Sequence, residues 1–158
     1  MNLDQVMSDA VTLELYERSP LMRFAYCATD GSPRVIPLGY LMRDGLFSFC
    51  TIPTSDKVAA LKRDTRVAIT IDSNDPLCCL LVRGDAWVET VQGVPDDYLE
   101  SSHRGMAPET WSDFDAQVRA LYDSMVRVTI TPTWARLNDF QRTAPRAVER
   151  LIAEKSAQ

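Results

Sequence analysis

Two hydrophobic periods take turns along this chain, and each switch marks the border of an element. Asp4 to Glu17 carries apolar residues at Val6, Ala10, Leu13 and Tyr16, a helical spacing, and Pro20 ends the segment. Met22 to Thr29 alternates loosely, as a strand does, and Asp30-Gly31-Ser32 supplies a turn. Arg34 to Met42 reads as a second strand, Arg43-Asp44-Gly45 as the next turn, and Leu46 to Thr51 as a third strand. Three extended runs joined by tight turns make a β-meander.

The period then becomes helical. Ser55 is a good N-cap, and Val58, Ala59, Leu61 and Lys62 continue a short helix that Asp64 and Thr65 end. Arg66 to Asp72 is a β-branched strand, followed by a turn at Asn74-Asp75-Pro76. Leu77 to Val91 is a long apolar strand in which Gly84 marks a bulge or a close backbone approach. Pro95 suits the first turn of a helix over Asp96 to Arg104, closed by Gly105. Trp111, Phe114, Val118, Leu121 and Tyr122 outline a second helical face. Met125 to Thr131 reads as a strand, Pro132 as a break and Trp134 to Leu137 as a last short strand. Ala144 to Lys155 closes as an amphipathic helix.

Six or seven strands with one short helix among them imply a mainly β architecture, an antiparallel barrel, closed or split, with flanking helices. A parallel sheet would need a helix between most strands, and the first three lack one. At 158 residues the chain reads as one domain, with an N-terminal helix over 1–18, a barrel over 20–140 and a C-terminal helix over 144–156.

Charge and composition narrow the function classes. The net charge of -5, with no basic block, argues against a nucleic-acid partner. No apolar run approaches the roughly 20 residues that span a bilayer. The acidic N-terminus lacks the basic and apolar regions of a signal peptide. The four cysteines, Cys27, Cys50, Cys78 and Cys79, read as buried reduced thiols, from which a cytoplasmic address is expected. Cys78 and Cys79 should point to opposite faces of a strand.

The stretch Phe49-Cys50-Thr51-Ile52-Pro53-Thr54-Ser55-Asp56-Lys57 carries the candidate chemistry. A helix start exposes unpaired N–H groups and a partial positive charge, which suit a phosphate. Thr51 and Ser55 can add hydroxyl hydrogen bonds and Lys57 a full charge. With no glycine-rich loop, the segment fits one terminal phosphate and not a triphosphate. Taken by themselves, Ser55 and Lys57 read as an ordinary N-cap followed by a solvent-exposed lysine.

The wider pattern changes that reading. Arg34-Val35-Ile36-Pro37-Leu38, then Phe49-Cys50-Thr51, then Ser55-Asp56-Lys57, then Arg66-Val67 resembles, in order and spacing, the pyridoxamine 5′-phosphate oxidase-like superfamily of flavin-binding split barrels. The resemblance covers about residues 20 to 140. It implies that Arg34, Val35, Ile36, Pro37 and Leu38 lie along the flavin. It also implies that Cys50 and Thr51 contact the ring edge or phosphate, and that Ser55 and Lys57 hold the phosphate. Members are usually homodimers with cofactor sites between the protomers, so a homodimer is implied. Trp87, Trp111 and Trp134 read as core or dimer-interface anchors, with Trp134 also a candidate ring contact across the dimer.

Departures from the pattern matter as much. Asp56 stands where the oxidase has a phosphate-binding arginine, and Cys79 where it has a flavin-contacting glutamine. The oxidase's C-terminal Arg-x-His substrate motif is absent. The resemblance is therefore closer to the branch that binds FMN or the deazaflavin coenzyme F-420, which Trp111-Ser112-Asp113 also suggests. It implies an oxidoreductase that moves a hydride between FMN or coenzyme F-420 and a small organic substrate. The alternative is a non-catalytic flavin- or haem-binding protein. His103, the only histidine, has no metal-ligand companions in the sequence and reads as an exposed helix-end residue.

Overall fold

The structure, a computed structural model, describes residues 1–142 and 144–156; Thr143, Ala157 and Gln158 lie outside them. Seven strands form one sheet, every pair antiparallel: β1 (Leu21–Cys27), β2 (Pro33–Gly39), β3 (Leu41–Arg43), β4 (Leu46–Thr51), β5 (Arg66–Asn74), β6 (Leu77–Gln92) and β7 (Ser124–Asp139). Their order is β2-β1-β5-β6-β7-β4-β3. The edges β2 and β3 do not pair with each other, so the sheet is not closed, as in a split barrel.

Alternation places one face of each strand inside. Met22, Phe24, Phe47, Phe49, Ile69, Ile71, Leu80, Val82, Val128 and Ile130 are all buried in one core. Phe24 and Phe49 meet edge to face with ring centroids 4.9 Å apart. Two helices, α1 (Leu3–Met7) and α2 (Ala10–Arg18), add Val6, Val11 and Leu15, and α3 (Asp56–Arg63) adds Val58 and Leu61. A smaller cluster of Val94, Leu99, Val118 and Met125 forms with α4 (Asp96–His103) and α5 (Trp111–Leu121). The last helix, α6 (Arg146–Ser156), leaves Val148, Leu151 and Ile152 exposed. No described helix is long and apolar enough to cross a membrane.

The structure departs from the sequence pattern in three places, each with a local cause. The N-terminal helix is two helices, because the Asp9 carboxylate accepts the Val11 N–H at 2.9 Å and starts α2 afresh. The break re-phases the helix: Val11 and Leu15 are buried and Leu13 is exposed. The extended run after Arg34 divides at Tyr40, a fully buried residue whose carbonyl accepts a hydrogen bond from Arg104 at 2.8 Å. Finally, Pro132 does not end a strand. β7 runs through it, because a register shift pairs Arg83 with Trp134 but Gly84 with Pro132, leaving Thr133 as the extra residue.

Gly84 is what permits that bulge. A Cβ added there would stand 2.5 Å from the Thr131 carbonyl oxygen and 2.9 Å from Ile130 Cγ2. Gly84→Ala should therefore lower stability by about 1–3 kcal/mol, read as an earlier midpoint in chemical denaturation. Gly105→Ala, where the nearest atom would be 3.8 Å away, should shift the midpoint much less.

Candidate functional site

The site begins where β4 delivers Thr51 and the chain crosses four residues to the start of α3. Ser55 occupies the N-cap position with extended backbone, yet its side chain caps no N–H of the helix. Instead its Oγ accepts a hydrogen bond from Lys57 Nζ at 2.6 Å, and the same ammonium donates to Thr51 Oγ1 at 3.2 Å. Three residues singled out from the sequence thus meet at one point. The first-turn N–H groups of α3 lack the side-chain acceptor that an N-cap ordinarily supplies.

Lys57 is half-buried. Burial pulls its pKa below the ordinary lysine value, and the nearby Asp56 carboxylate only partly offsets this. An ammonium partly removed from water, with two hydroxyls for partners, is poised for an anion. Ammonium, hydroxyls and free helix-start N–H groups together form a donor set that fits a phosphate.

Beside this cradle lies a small cavity of about 150 Å³ lined by Tyr26, Asp30, Arg34 and Asp56 among others. Arg34 stands 4.0 Å from Asp30, an exposed pair. Tyr26 and Arg34 also line a second, larger groove of about 720 Å³ on the outer face of the sheet. Sheet register builds its floor: Val35 faces Ala25, Ala25 faces Ala68, Ala68 faces Arg83, and Arg83 faces Trp134. One cross-strand row on five strands therefore combines three small or aliphatic side chains with an arginine and a tryptophan. The Arg83 guanidinium lies 4.5 Å from the Trp134 ring centroid, a contact worth about 0.5–1 kcal/mol when exposed. Arg66 and Asp85 line the same groove.

The other residues singled out from the sequence are dispersed. Val35 lines the groove and Pro37 lies on the same outer face, whereas Ile36 and Leu38 are partly buried against the barrel core. Cys50 alternates with Thr51, so its side chain points away from the cradle and packs beside Val94, Leu99 and Met125. Burial pushes its thiol up to about 11. Cys79 shares the outer face with Arg83 but lies two positions beyond Leu81, opposite Asn138, whose Nδ2 is 3.5 Å from its sulfur.

Ala25, Tyr26, Ala68 and Arg83 carry no motif and were not singled out from the sequence. Alternation alone could mark Ala25, Ala68 and Arg83 as outward-facing, whereas Tyr26 has the inward parity of Phe24 and packs partly against the core; only strand order places them side by side. Two expectations are corrected. Cys27 is exposed, not buried. His103 is not a free helix end: its ring stacks on Trp111 with centroids 4.4 Å apart, and its Nε2 lies 2.7 Å from Asp115 Oδ1. Among the described residues no cluster of three or more His, Cys, Asp or Glu side chains could hold a metal.

The family model of pyridoxamine 5′-phosphate oxidase matches residues 8–139. No curated protein matches the chain. Among solved structures, an F420 reductase superposes with a TM-score of 0.60 at 22% identity, over 78% of this chain and 94% of that one. A conserved hypothetical protein from Mycobacterium tuberculosis gives 0.61 at 23% identity, over 84% and 85%. A protein of the pyridoxinephosphate oxidase family from Clostridium acetobutylicum, related to general stress protein 26, gives 0.58 at 15% identity, over 88% and 91%. At these identities the likeness is one of fold.

The cysteine environments yield a direct check. In the native protein Cys27 should be alkylated first by iodoacetamide, with Cys50 and buried Cys78 modified only on unfolding. Peptide mapping by mass spectrometry after a short exposure reads the order, and fast labelling of Cys50 would contradict its placement.

Proposed function

The chain belongs to the pyridoxamine 5′-phosphate oxidase family, and from that footing we propose that it is an oxidoreductase using FMN or the deazaflavin coenzyme F-420. The observation that carries the proposal is the convergence of Lys57 Nζ on Thr51 and Ser55 at an uncapped helix start. The substrate proposed is a small organic molecule. When bound, such a cofactor supplies the hydride donor or acceptor, and the protein's part is to hold, orient and shield it.

Each role has a candidate residue. Lys57 offers a charge to the cofactor phosphate while Thr51 and Ser55 donate hydroxyl hydrogen bonds. Arg34 stands at the passage from the phosphate cradle to the larger groove, since it lines both cavities. The floor of Val35, Ala25 and Ala68 is flat and free of titratable groups, which suits a planar ring. Arg83 and Trp134 would border that ring. No acid–base constellation is required, because hydride transfer needs none from the protein.

Half of such a site is open. Val35 is 66% exposed, Trp87 70% and Trp134 37%, large apolar groups on the outer face of the sheet. We propose that a second copy of the chain covers them, so that the cofactor lies between two protomers. Burial of such aromatic anchors is the usual core of an interface.

Five measurements test the proposal. Titration with FMN and with coenzyme F-420, followed by the visible spectrum and by fluorescence, should show binding of at least one; binding of neither would overturn it. Lys57→Ala should weaken that binding by about 1.5–3 kcal/mol, the scale of a charged hydrogen bond. The affinity should also fall as pH rises through the lowered Lys57 pKa, because only the protonated amine attracts the phosphate. Bound cofactor should protect Cys27, which lines the same groove, from alkylation. Binding without turnover on a panel of enones, quinones and nitro compounds would instead assign the chain to cofactor binders.

A further inference from the structure

The outer face of the sheet carries a surplus of arginine in a chain whose net charge is -5. Most of these arginines are matched by acids. Arg23 lies 3.9 Å from Asp72, Arg43 pairs with Glu100, and Arg127 bonds Glu89 at 2.9 Å. Arg66 donates to both oxygens of Asp64, at 2.9 and 2.7 Å. At the edge of the face Arg34 has Asp30, and Arg63 has the Thr29 carbonyl. Arg83 and Arg136 are the exceptions: among the described residues neither forms an ion pair. Asp85, two residues from Arg83 on the same face, stands opposite Arg66 in the register and accepts the Thr65 hydroxyl at 3.1 Å.

The two unmatched arginines are neighbours. Arg83 pairs with Trp134 across β6 and β7, and Leu81, two residues back on the same face, pairs with Arg136. Diagonal positions of such a square have Cα atoms about 7–8 Å apart, and like charges there repel. No acid relieves them in the row that Arg136 ends, which runs Pro37, Arg23, Thr70, Leu81, Arg136. The Arg83 guanidinium is held 4.5 Å from the Trp134 ring centroid, and Arg136 is half-buried. Guanidinium donors partly withdrawn from water and bonded to no described residue call for an acceptor from outside the chain. Arg83 lines the groove floored by Val35, Ala25 and Ala68, and Arg136 lies one row further along β7.

We propose that Arg83 and Arg136 together bind a carboxylate of the organic substrate, which makes the substrate class an aromatic or conjugated organic acid. This rests on the reading of the groove as an oxidoreductase site and deepens it by naming the charge of the substrate. The fork of a guanidinium matches a planar carboxylate through two parallel hydrogen bonds. Trp134 and Leu81, which complete the square, offer apolar contact to the body of the molecule. The cofactor phosphate has Lys57 for its cation and does not require this pair.

Naphthoate and its uncharged isostere naphthamide probe the site by isothermal titration calorimetry, on the full chain without added cofactor and again with saturating FMN or coenzyme F-420. Naphthoate should bind about tenfold tighter than naphthamide, the scale of a charged hydrogen bond, and the gap should narrow as salt is raised. Arg83→Gln and Arg136→Gln should each bring the ratio toward one, with circular dichroism checking that the fold persists. Arg136→Lys, which keeps the charge and loses the fork, should retain part of the preference. The inference is overturned if the two probes bind alike, if neither binds, or if the preference survives Arg136→Gln. It is also overturned if Arg136→Gln weakens FMN or coenzyme F-420 as much as naphthoate, which assigns the arginine to the cofactor. Conversion of a dimer to monomers by Arg136→Gln, read by sedimentation, assigns it to an acid of the second copy and overturns the inference too. Cofactor binding without a carboxylate preference removes this inference and leaves the cofactor reading intact. A carboxylate preference in a chain that binds neither cofactor upholds the arginine site and overturns the cofactor reading.

Discussion

The close approach of Gly84 to the Thr131 carbonyl governs the arrangement of the outer face. Only a residue without a Cβ lets β6 and β7 come together there, and the strain is relieved by one extra residue, Thr133, in β7. A single extra residue reverses the parity of everything after it. Before the bulge Val126, Val128 and Ile130 point inward; after it Ala135 and Leu137 pack on the core. Without the shift Trp134 would pair with Val82 and point into the barrel. With it, Trp134 pairs with Arg83 and stands on the outer face, where it completes the row that floors the groove. Pro132, which lacks an N–H to donate, is tolerated because it sits at this irregularity.

A second feature follows from how one hydroxyl is used. Ser55 could have capped its own helix, and it bonds Lys57 instead. That choice leaves the helix-start N–H groups open and draws an ammonium toward Thr51. A typical N-cap bond contributes about 1 kcal/mol, so the helix forgoes some stability at this end. The apolar contacts of Val58 and Leu61 with the core hold α3 in place without it. Functional geometry is commonly found at such local departures from the most stable arrangement.

The opposite side of the molecule is organised by polar contacts. Arg127 bonds Glu89 at 2.9 Å and lies 2.9 Å from Asp97, and Arg43 reaches Asp97 at 3.5 Å and also pairs with Glu100. These contacts tie α4 to β3, β6 and β7. His103 and Asp115 then join α4 to α5 through the Trp111 stack. Arg104 binds the carbonyls of Tyr16, Ser19 and Tyr40, and its guanidinium lies 3.9 Å from the Tyr16 ring centroid. The ends of α2 and α4 thereby fasten to the gap between β2 and β3. That gap is where the extended run divides, and no hydrophobic period could show it.

Local periodicity by itself was enough to place most of the strands, the short helix at Ser55 and a mostly antiparallel sheet, though not the division at Tyr40 or the continuity of β7 through Pro132, because alternation and capping depend on neighbours a few residues apart. The ordered set of Arg34, Thr51, Ser55, Lys57 and Arg66 pointed to a flavin-type site, and the fold brings Thr51, Ser55 and Lys57 together with Arg34 nearby. The tertiary structure alone decided the rest. Asp9 splits the first helix through a hydrogen bond that competes with continuation. Cys50 faces away from Thr51, since the register of β4 on β7 chooses which of two adjacent residues enters the cradle. Ala25, Ala68, Arg83 and Trp134 become one surface only when β1, β5, β6 and β7 are laid side by side with a bulge at Gly84. Strand order and register depend on contacts between residues far apart in the chain, and these are set by packing of the whole core, which no local pattern records.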